Sequence, residues 1–205
     1  MAKWMVPLIA ATALAACTQE GGSDTAAAEE ATAEAPAESG EAASAEPVLT
    51  AEGYGPLRIG MTLEEVNAAM GPDDDPDAIG GPEPEMCDQF HPENAPEGMI
   101  VMIEQGVLTS ISLGEGSPVE TSEGLSVGDA ASAVRAAYGD RIRQMPHTYV
   151  DPPGEYLTVW MTGETDEPYT DNPDARGIRY EIGMDGNVEI IHAGGPSIQY
   201  VEGCL

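Results

Sequence analysis

The sequence predicts an α+β fold made of two tandem helix-plus-antiparallel-sheet repeats, with the helices packed on one face of the sheet. Three observations predict it. Two segments 68 residues apart, 55–71 and 123–139, share apolar and glycine positions, which indicates an internal repeat. Each segment is followed by short, strand-like runs of apolar residues bounded by turn residues. Glycine-containing turns between those runs favour hairpins and hence antiparallel pairing.

Residues 1–16 predict a lipoprotein signal peptide. A positive start at Lys3 is followed by an apolar run that is too short to span a bilayer. The run ends in Leu14-Ala15-Ala16-Cys17, which resembles the bacterial lipobox, and the resemblance implies that Cys17 is acylated and anchors the chain to the lipid bilayer. An ordinary signal peptide followed by a chance cysteine is the alternative. Thr18 replaces the Asp that retains many such lipoproteins in the inner membrane, so we expect an outer-membrane protein that faces the periplasm.

The composition then divides the chain into a tether and two repeats. Residues 17–46 comprise Cys17 and an Ala/Glu-rich segment with eight carboxylates and no Lys or Arg, which predicts a disordered acidic tether. The first repeat is expected over 47–120 and the second over 121–205. The whole chain has 37 acidic and 7 basic side chains. Its net charge of −30 excludes nucleic acid as a partner, because phosphate binding needs clustered Lys and Arg.

In the first repeat, a capping box at Thr62-Leu63-Glu64-Glu65 predicts the start of a helix. Gly71 suits the left-handed position at which such a helix ends. Strands are expected over 99–104 and 107–113, because both runs are apolar and Gln105-Gly106 between them suits a tight turn.

The second repeat is expected to follow the same order. Asp129 is placed to cap a helix that ends at Gly139. Apolar runs bounded by Gly, Pro and Asp then predict four strands, over 156–162, 177–183, 188–193 and 198–201.

The repeated segment resembles a known type of module. Residues 55–71, with their partial copy at 123–139, resemble the helix of the small α/β modules in the β-lactamase inhibitory protein and in the BamE/SmpA-type lipoprotein of outer-membrane β-barrel assembly. Those families bind other proteins, present a sheet surface to the partner and are not enzymes. The resemblance implies an α/β fold from about residue 49 to residue 204 and a protein-binding function. No partner-contacting residue of either family matches a position of this sequence.

Two cysteines remain when Cys17 is assigned to lipid attachment. In the oxidising periplasm, Cys87 and Cys204 are expected to form a disulfide. Two free thiols, or a catalytic cysteine, are the alternative.

The acidic loops and the histidines predict no metal site. Residues 73–97 and 151–174 are rich in carboxylates, but neither fits the EF-hand template, so solvated loops are expected, with weak divalent-cation binding as the alternative. The three histidines, His91, His147 and His192, share no metal-ligand spacing. Hydrolase and nucleotide-binding motifs are absent from the sequence. We therefore expect no catalytic residues and no cofactor.

The strand over 156–162 suggests a binding surface. Its alternation places Tyr156 and Trp160 on one face. Residues of neighbouring strands could join them, namely Arg179, Glu181, Glu189 and Ile191. Tyr, Trp and Arg are enriched in the energetic centres of protein interfaces. The alternative is that these side chains pack beneath loops.

Together these features predict a non-catalytic, membrane-anchored protein-binding module, an accessory of envelope assembly or an inhibitor of an envelope enzyme. Its partner would be an envelope protein. A lipoprotein that binds a small molecule or a divalent cation through its acidic loops is the alternative function.

Overall fold

A computed structural model of the protein describes residues 46–78, 80–163 and 166–204, all within one compact unit, Ala43–Leu205. The predicted signal peptide, the expected lipidation site Cys17 and nearly all of the predicted tether lie outside the described residues. Within those residues, no helix is long and apolar enough to cross a membrane.

Two antiparallel sheets dominate the fold. The small sheet has the strand order β1–β2–β3 and the large sheet has the order β4–β5–β6–β10–β9–β8–β7. The strands are β1 Leu49–Thr50, β2 Gly53–Tyr54, β3 Leu57–Arg58, β4 Cys87–Phe90, β5 Met99–Glu104, β6 Val107–Leu113, β7 Arg143–Pro146, β8 Glu155–Thr162, β9 Arg176–Ile182 and β10 Val188–Gly194. The helices are α1 Leu63–Met70 and α2 Ala131–Tyr138, with short 3-10 turns at Gly139–Arg141 and Pro196–Gln199.

The predicted α+β class, with helices packed on one face of the sheet, is wrong. The structure is mostly sheet, 35% strand against 15% helix, and each helix has only eight residues. A helix of that length extends about 12 Å, whereas seven strands extend across roughly 29 Å. Two such helices cannot cover the large sheet. Part of the covering comes instead from the small sheet, whose Leu49, Tyr54 and Leu57 are buried in the same apolar core.

Several individual elements agree with the sequence-based expectations. The strands over 99–104 and 107–113 and the capping box of α1 are confirmed, with the Thr62 hydroxyl accepting from the Glu65 N–H and the Glu65 carboxylate accepting from the Thr62 N–H. The expected cap of α2 is wrong, because the Asp129 carboxylate accepts from the Ser126 N–H and Ala130 occupies the N-cap position. The expected strand over 198–201 is also wrong, since a 3-10 turn begins there at Pro196.

The two matching segments make equivalent hydrogen bonds to the tip of a hairpin. In the first repeat, the Gly60 and Leu63 N–H groups donate to strand β6 and to the β5–β6 turn; in the second, Gly128 and Ala131 do the same to β10 and the β9–β10 turn. The donor–acceptor pairs are Gly60 to Leu108 (2.8 Å), Gly128 to Val188 (2.8 Å), Leu63 to Gly106 (3.0 Å) and Ala131 to Gly186 (3.0 Å). Gly60 and Gly128 share φ angles of 97° and 95°, which side-chain-bearing residues rarely adopt. Each helix therefore begins beside the tip of a later hairpin, β5–β6 for α1 and β9–β10 for α2.

The large sheet combines strands that follow α1 with strands that follow α2. Strands β4–β6 follow α1, strands β7–β10 follow α2, and the last strand of each group pairs with the other, β6 with β10. One face of the sheet carries the apolar core, which includes Val101, Ile111, Tyr180 and Leu157. We call the opposite face the open face.

A C-terminal segment crosses the open face. Residues 195–204, here called the strap, leave central strand β10, and their 3-10 turn packs against β6, β9 and β10. Cys204 is joined by a disulfide to Cys87 of edge strand β4, so the predicted pairing is confirmed. The strap thus runs from the middle of the sheet to one edge and encloses part of the open face.

Candidate functional site

The sheet register places a row of polar side chains across the open face. Ser112 of β6 lies opposite His192 of β10, which lies opposite Arg179 of β9, which lies opposite Thr158 of β8. Residues directly opposite each other share a face of the sheet. A polar layer therefore lies beneath and beside the strap, on the side of the sheet away from the apolar core.

The three side chains expected from the sequence, Tyr156, Trp160 and Arg179, lie on this face but are buried. Their exposed fractions are 2%, 5% and 3%. The Arg179 guanidinium carbon is 3.6 Å from the centroid of the Tyr156 ring, and Arg179 Nη1 donates to the carbonyl oxygen of Ile198 in the strap at 3.1 Å. Trp160 packs against Ile198 and Ala175. Of the two possibilities left open by the sequence, exposed contacts or packing beneath loops, the structure has these side chains packed.

Burial changes the pKa of the Arg179 side chain. Desolvation lowers the pKa of its guanidinium, partly offset by the attraction of Tyr156, Tyr169 and Glu181. The contact with the Tyr156 ring is a cation–π interaction, which gains strength in a desolvated setting. Arg179 therefore holds the strap to the sheet instead of presenting a charge to solvent.

Glu181 is the centre of a cluster with two histidines. His147 Nε2 lies 2.7 Å from Glu181 Oε1, and His147 Nδ1 accepts the N–H groups of Tyr149 and Val150 at 3.0 and 3.1 Å. Because Nδ1 is an acceptor, the ring proton is assigned to Nε2, which donates to the carboxylate. His192 Nε2 lies 3.6 Å from Glu181 Oε2. The carboxylate is thus flanked by an imidazole on each side.

The histidines keep Glu181 ionised. Burial alone would raise the pKa of the Glu181 carboxyl, but its favourable interactions with the nearby imidazoles of His192 and His147 outweigh burial and lower the pKa from 4.5 to about 2. The Glu181 carboxyl therefore stays ionised beneath the strap across the ordinary range of pH.

Ser112 extends the cluster on the far side of His192. Its Oγ lies 2.8 Å from His192 Nδ1, so serine, histidine and carboxylate follow one another in the order of a catalytic triad. Acyl transfer also needs preorganised donors for an oxyanion, usually backbone N–H groups. The backbone of β6 on both sides of Ser112 is paired with β5 and β10 in the sheet. The arrangement therefore fits ligand binding better than acyl transfer.

Two concave spaces adjoin this cluster. A cavity of about 280 Å³, here called the strap cavity, lies between the sheet and the strap and is lined by Ser112, Glu181 and His192 together with strap residues. A larger cleft of about 940 Å³, here called the tyrosine cleft, adjoins it at Tyr200, Val201 and Gly203 of the strap. It is lined by Tyr149, Tyr200, Met86 and Val201, by the carboxylates of Glu83, Glu104 and Glu202, and by the disulfide.

The tyrosine cleft exposes apolar and aromatic side chains. Tyr149 is 67% exposed, and Met86, Tyr200 and Val201 are exposed beside it. The Tyr149 hydroxyl donates to the Glu202 carboxylate, and the Tyr200 hydroxyl donates to Glu104 at 3.1 Å. These bonds hold both aromatic rings at the mouth of the cleft.

The acidic loops show no metal-ligating arrangement. Among residues 46–78, 80–163 and 166–204, no three His, Cys, Asp or Glu side chains come together in a way that could hold a metal ion. Asp73 and Asp75 accept backbone N–H groups of their own loop, and Asp74 pairs with His91 at 3.1 Å. Cation binding by these loops stays a prediction.

Comparison of the chain with protein-family models, curated proteins and solved structures finds no match. The resemblance to the β-lactamase inhibitory protein and BamE/SmpA-type modules therefore stays a prediction, and function must be argued from the site itself.

Sequence reasoning misses most of the polar cluster. It treats His147 and His192 only as possible metal ligands and does not single out Ser112. The relation between these side chains depends on the pairing of β6 with β10, two strands that are about 80 residues apart in the chain. The sequence signal that could have found them is the alternation within each strand, which places Ser112 on the polar face of β6 and His192 on the polar face of β10.

Proposed function

We propose that the protein is a non-catalytic lipoprotein, anchored through acylated Cys17 and facing the periplasm from the outer membrane, that binds an envelope protein through the tyrosine cleft. The observation that carries the proposal is a cleft of about 940 Å³ with exposed tyrosines at its mouth and carboxylates in its walls.

The side-chain chemistry of the cleft favours a protein partner. Tyrosine supplies a large contact area with few rotatable bonds and is enriched in interface hot spots. Exposed apolar side chains that lie together, such as Met86 and Val201 beside Tyr149 and Tyr200, mark interaction sites more often than scattered ones do. A protein surface can bury this mixture of aromatic, apolar and polar groups.

The charge of the cleft defines the partner segment. Glu83, Glu104 and Glu202 line it, and the chain from Pro47 onward carries 29 acidic residues against six arginines. Complementary charge speeds encounter and disfavours wrong partners. The segment that enters the cleft should therefore be basic, with Lys or Arg side chains that reach the carboxylates and the faces of the tyrosine rings.

The cleft is also rigidly built. The disulfide between Cys87 and Cys204 fixes one wall, and the Tyr149–Glu202 and Tyr200–Glu104 hydrogen bonds fix the rings. A surface that is ordered before binding loses less conformational entropy when the partner docks.

The proposal is tested by site-specific photo-crosslinking in the cell envelope. A photoreactive amino acid replaces Tyr149 in the full-length lipoprotein, and the matched control replaces Met184, which is also exposed but lies in the turn between β9 and β10. We expect one discrete crosslinked protein from position 149, and none of that protein from position 184. The yield should fall as salt is raised, because the contact is electrostatic in part.

A second variant separates the cleft from the rest of the surface. Glu83→Gln combined with Glu202→Gln removes two cleft carboxylates and should reduce the crosslink at position 149, whereas Glu189→Gln, an exposed carboxylate on β10, should leave it unchanged. Equal crosslinking from positions 149 and 184, or a yield insensitive to both the salt and the cleft carboxylates, would contradict the proposal.

A further inference from the structure

The strap cavity is smaller than the tyrosine cleft, shares Tyr200, Val201 and Gly203 of the strap with it, and differs from it in its other walls. It lies on the open face between β5, β6 and β10 and the strap, and its volume is about 280 Å³. Since one water occupies roughly 30 Å³ of liquid, the cavity has room for a molecule of roughly six to nine non-hydrogen atoms. It is too small for a folded partner and has the dimensions of a small-molecule site.

Its polar wall carries one negative charge and an unsatisfied hydroxyl. Glu181 lines the cavity and is ionised, and among the described residues no hydrogen bond reaches its Oε2, which His192 Nε2 approaches to 3.6 Å. Ser197 of the strap also lines the cavity, is 5% exposed, and its Oγ has no hydrogen-bond partner among the described residues. A buried hydroxyl without a partner costs stability. The Ser197 Oγ is itself shielded from a water-sized probe, so a ligand in the cavity would bond to it after rotation of the side chain about its Cα–Cβ bond and would then recover that cost.

The remaining wall is apolar. Ile100 and Met102 of β5, Ile190 of β10 and Val201 of the strap line the same cavity. They leave a surface that would contact a short hydrocarbon group and not a strongly hydrated ion. None of the described residues that line the cavity is Lys or Arg, so an anionic ligand would meet Glu181 without a compensating charge.

We propose that the strap cavity binds a small primary ammonium compound, with the ammonium on Glu181 and the Ser197 hydroxyl and a short apolar body against Ile100, Ile190 and Val201. An ammonium group has three N–H donors and no acceptor, which matches a wall that offers a carboxylate and hydroxyl oxygens. Metal binding is a poorer match, because the Nδ1 of His192 is already engaged by Ser112 and the Oε1 of Glu181 by His147.

The strap controls access to this site. Its residues 197, 200, 201 and 203 form one side of the cavity, and the disulfide at Cys204 closes the chain over it. Binding in the strap cavity does not depend on the proposed partner of the tyrosine cleft. It involves Glu181, Ser197 and Ile190, which do not line the tyrosine cleft, and can be tested without that partner.

The test compares three probes of equal carbon count on the full-length chain in lipid nanodiscs: n-butylamine, n-butanol and butyrate. The Ile100 and Ile190 methyl groups, labelled with 13C, report binding by NMR at the cavity itself. We expect n-butylamine to shift both methyl signals and to bind at least about tenfold more tightly than n-butanol or butyrate, as one charge-assisted hydrogen bond predicts.

Three variants define the site. Glu181→Gln should weaken n-butylamine binding by roughly 10- to 100-fold, and Ser197→Ala by about 2- to 10-fold, the ranges expected for losing a charged and a neutral hydrogen bond. The matched control Glu189→Gln removes an exposed carboxylate that does not line the cavity and should leave binding unchanged. Ser197→Ala deletes one hydroxyl only, so it keeps the test decisive if Glu181→Gln does not fold.

Three results would overturn the inference. Equal affinity for n-butanol and n-butylamine would mean that the cavity recognises only a carbon chain. Undiminished n-butylamine binding in both Glu181→Gln and Ser197→Ala would place the ammonium elsewhere. No shift of the Ile100 and Ile190 methyl signals at n-butylamine concentrations up to about 0.1 M would mean that the cavity takes no such ligand.

Discussion

Replacing Glu181 by Gln should change the acid sensitivity of the fold in a defined direction. The pKa of the Glu181 carboxyl is about 2 in the folded state against an ordinary value of 4.5, because His192 and His147 outweigh its desolvation. A lowered pKa means that the carboxylate stabilises the folded state fully above pH 4.5. That contribution is lost as the pH falls from 4.5 through 2. Gln has no such titration.

The magnitude follows from the shift. A difference of about 2.5 pKa units at roughly 1.4 kcal/mol per unit amounts to on the order of 3 kcal/mol. The quantity of interest is the free energy of unfolding of the wild-type protein minus that of Glu181→Gln. This difference should be larger at pH 6 than at pH 2 by about 3 kcal/mol. Carboxylates elsewhere titrate alike in both proteins and cancel in the difference, whereas the interactions of His147 and His192 with Glu181 are lost in the variant and form part of it.

The assay is urea unfolding of both proteins at several pH values between 6 and 2, followed by circular dichroism. Glu189→Gln serves as the control, because the Glu189 side chain is exposed. Its difference from the wild type should stay nearly constant with pH. A Glu181→Gln difference that also stays constant across this range would refute the reasoning, since it would mean that Glu181 ionises alike in the folded and unfolded states.

Three other predictions concern the frame around the site. Cys87→Ser should lower the free energy of unfolding by about 4–5 kcal/mol on the chain-entropy model, because the disulfide to Cys204 spans a sequence separation of 117 residues. Urea unfolding with and without reductant measures this loss. A loss below about 1 kcal/mol would count against the bridge. Val66→Ala in α1 and Val134→Ala in α2 should each lower the free energy of unfolding by about 1–3 kcal/mol, and by similar amounts, since both side chains are fully buried at equivalent positions. A large loss for only one of the two variants would show that the helices pack differently. Ala130→Ser should raise stability by about 0.5–1 kcal/mol in thermal unfolding, because α2 has no side-chain cap, and no gain would show that this N-terminus is already satisfied.

The sequence is most informative where local patterns decide the structure. The strands Met99–Glu104 and Val107–Leu113 combine an apolar run with a tight turn, and the capping box at Thr62 places the start of α1 within one residue. Signals of this kind depend on neighbours in the chain. They predict the structure correctly here because the long-range contacts of the fold agree with them.

The errors in the fold have a physical cause. Strands β1, β2 and β3 have two residues each, too few to show any alternation, and edge strands β4 and β7 have four residues of mixed polarity. Without these strands, the sequence pattern leaves only the two helices to cover the sheet. The strap illustrates the same limit, because Ile198 and Val201 suggest a strand where Pro196 begins a 3-10 turn.

The site is only partly accessible to sequence reasoning. Alternation places Tyr156 and Trp160 on one face, but the depth of their burial depends on the strap, which packs back over the sheet from the far end of the chain. The Glu181 cluster depends on three chain segments that meet only through the sheet and the loop after β7. Tyr149 and Tyr200 have no pattern of their own, and their shared cleft follows from the disulfide and from the Glu202 and Glu104 contacts.

The most direct measurement of the central claim is the sequence of the partner peptide that crosslinks to position 149 in the envelope, identified by mass spectrometry. The account predicts a peptide in which Lys or Arg lies beside the crosslinked residue, and the same peptide should crosslink to position 200 on the other side of the cleft. A crosslinked peptide that is acidic, or one that reaches position 184 as readily as position 149, would contradict the assignment of the tyrosine cleft as the partner-binding site.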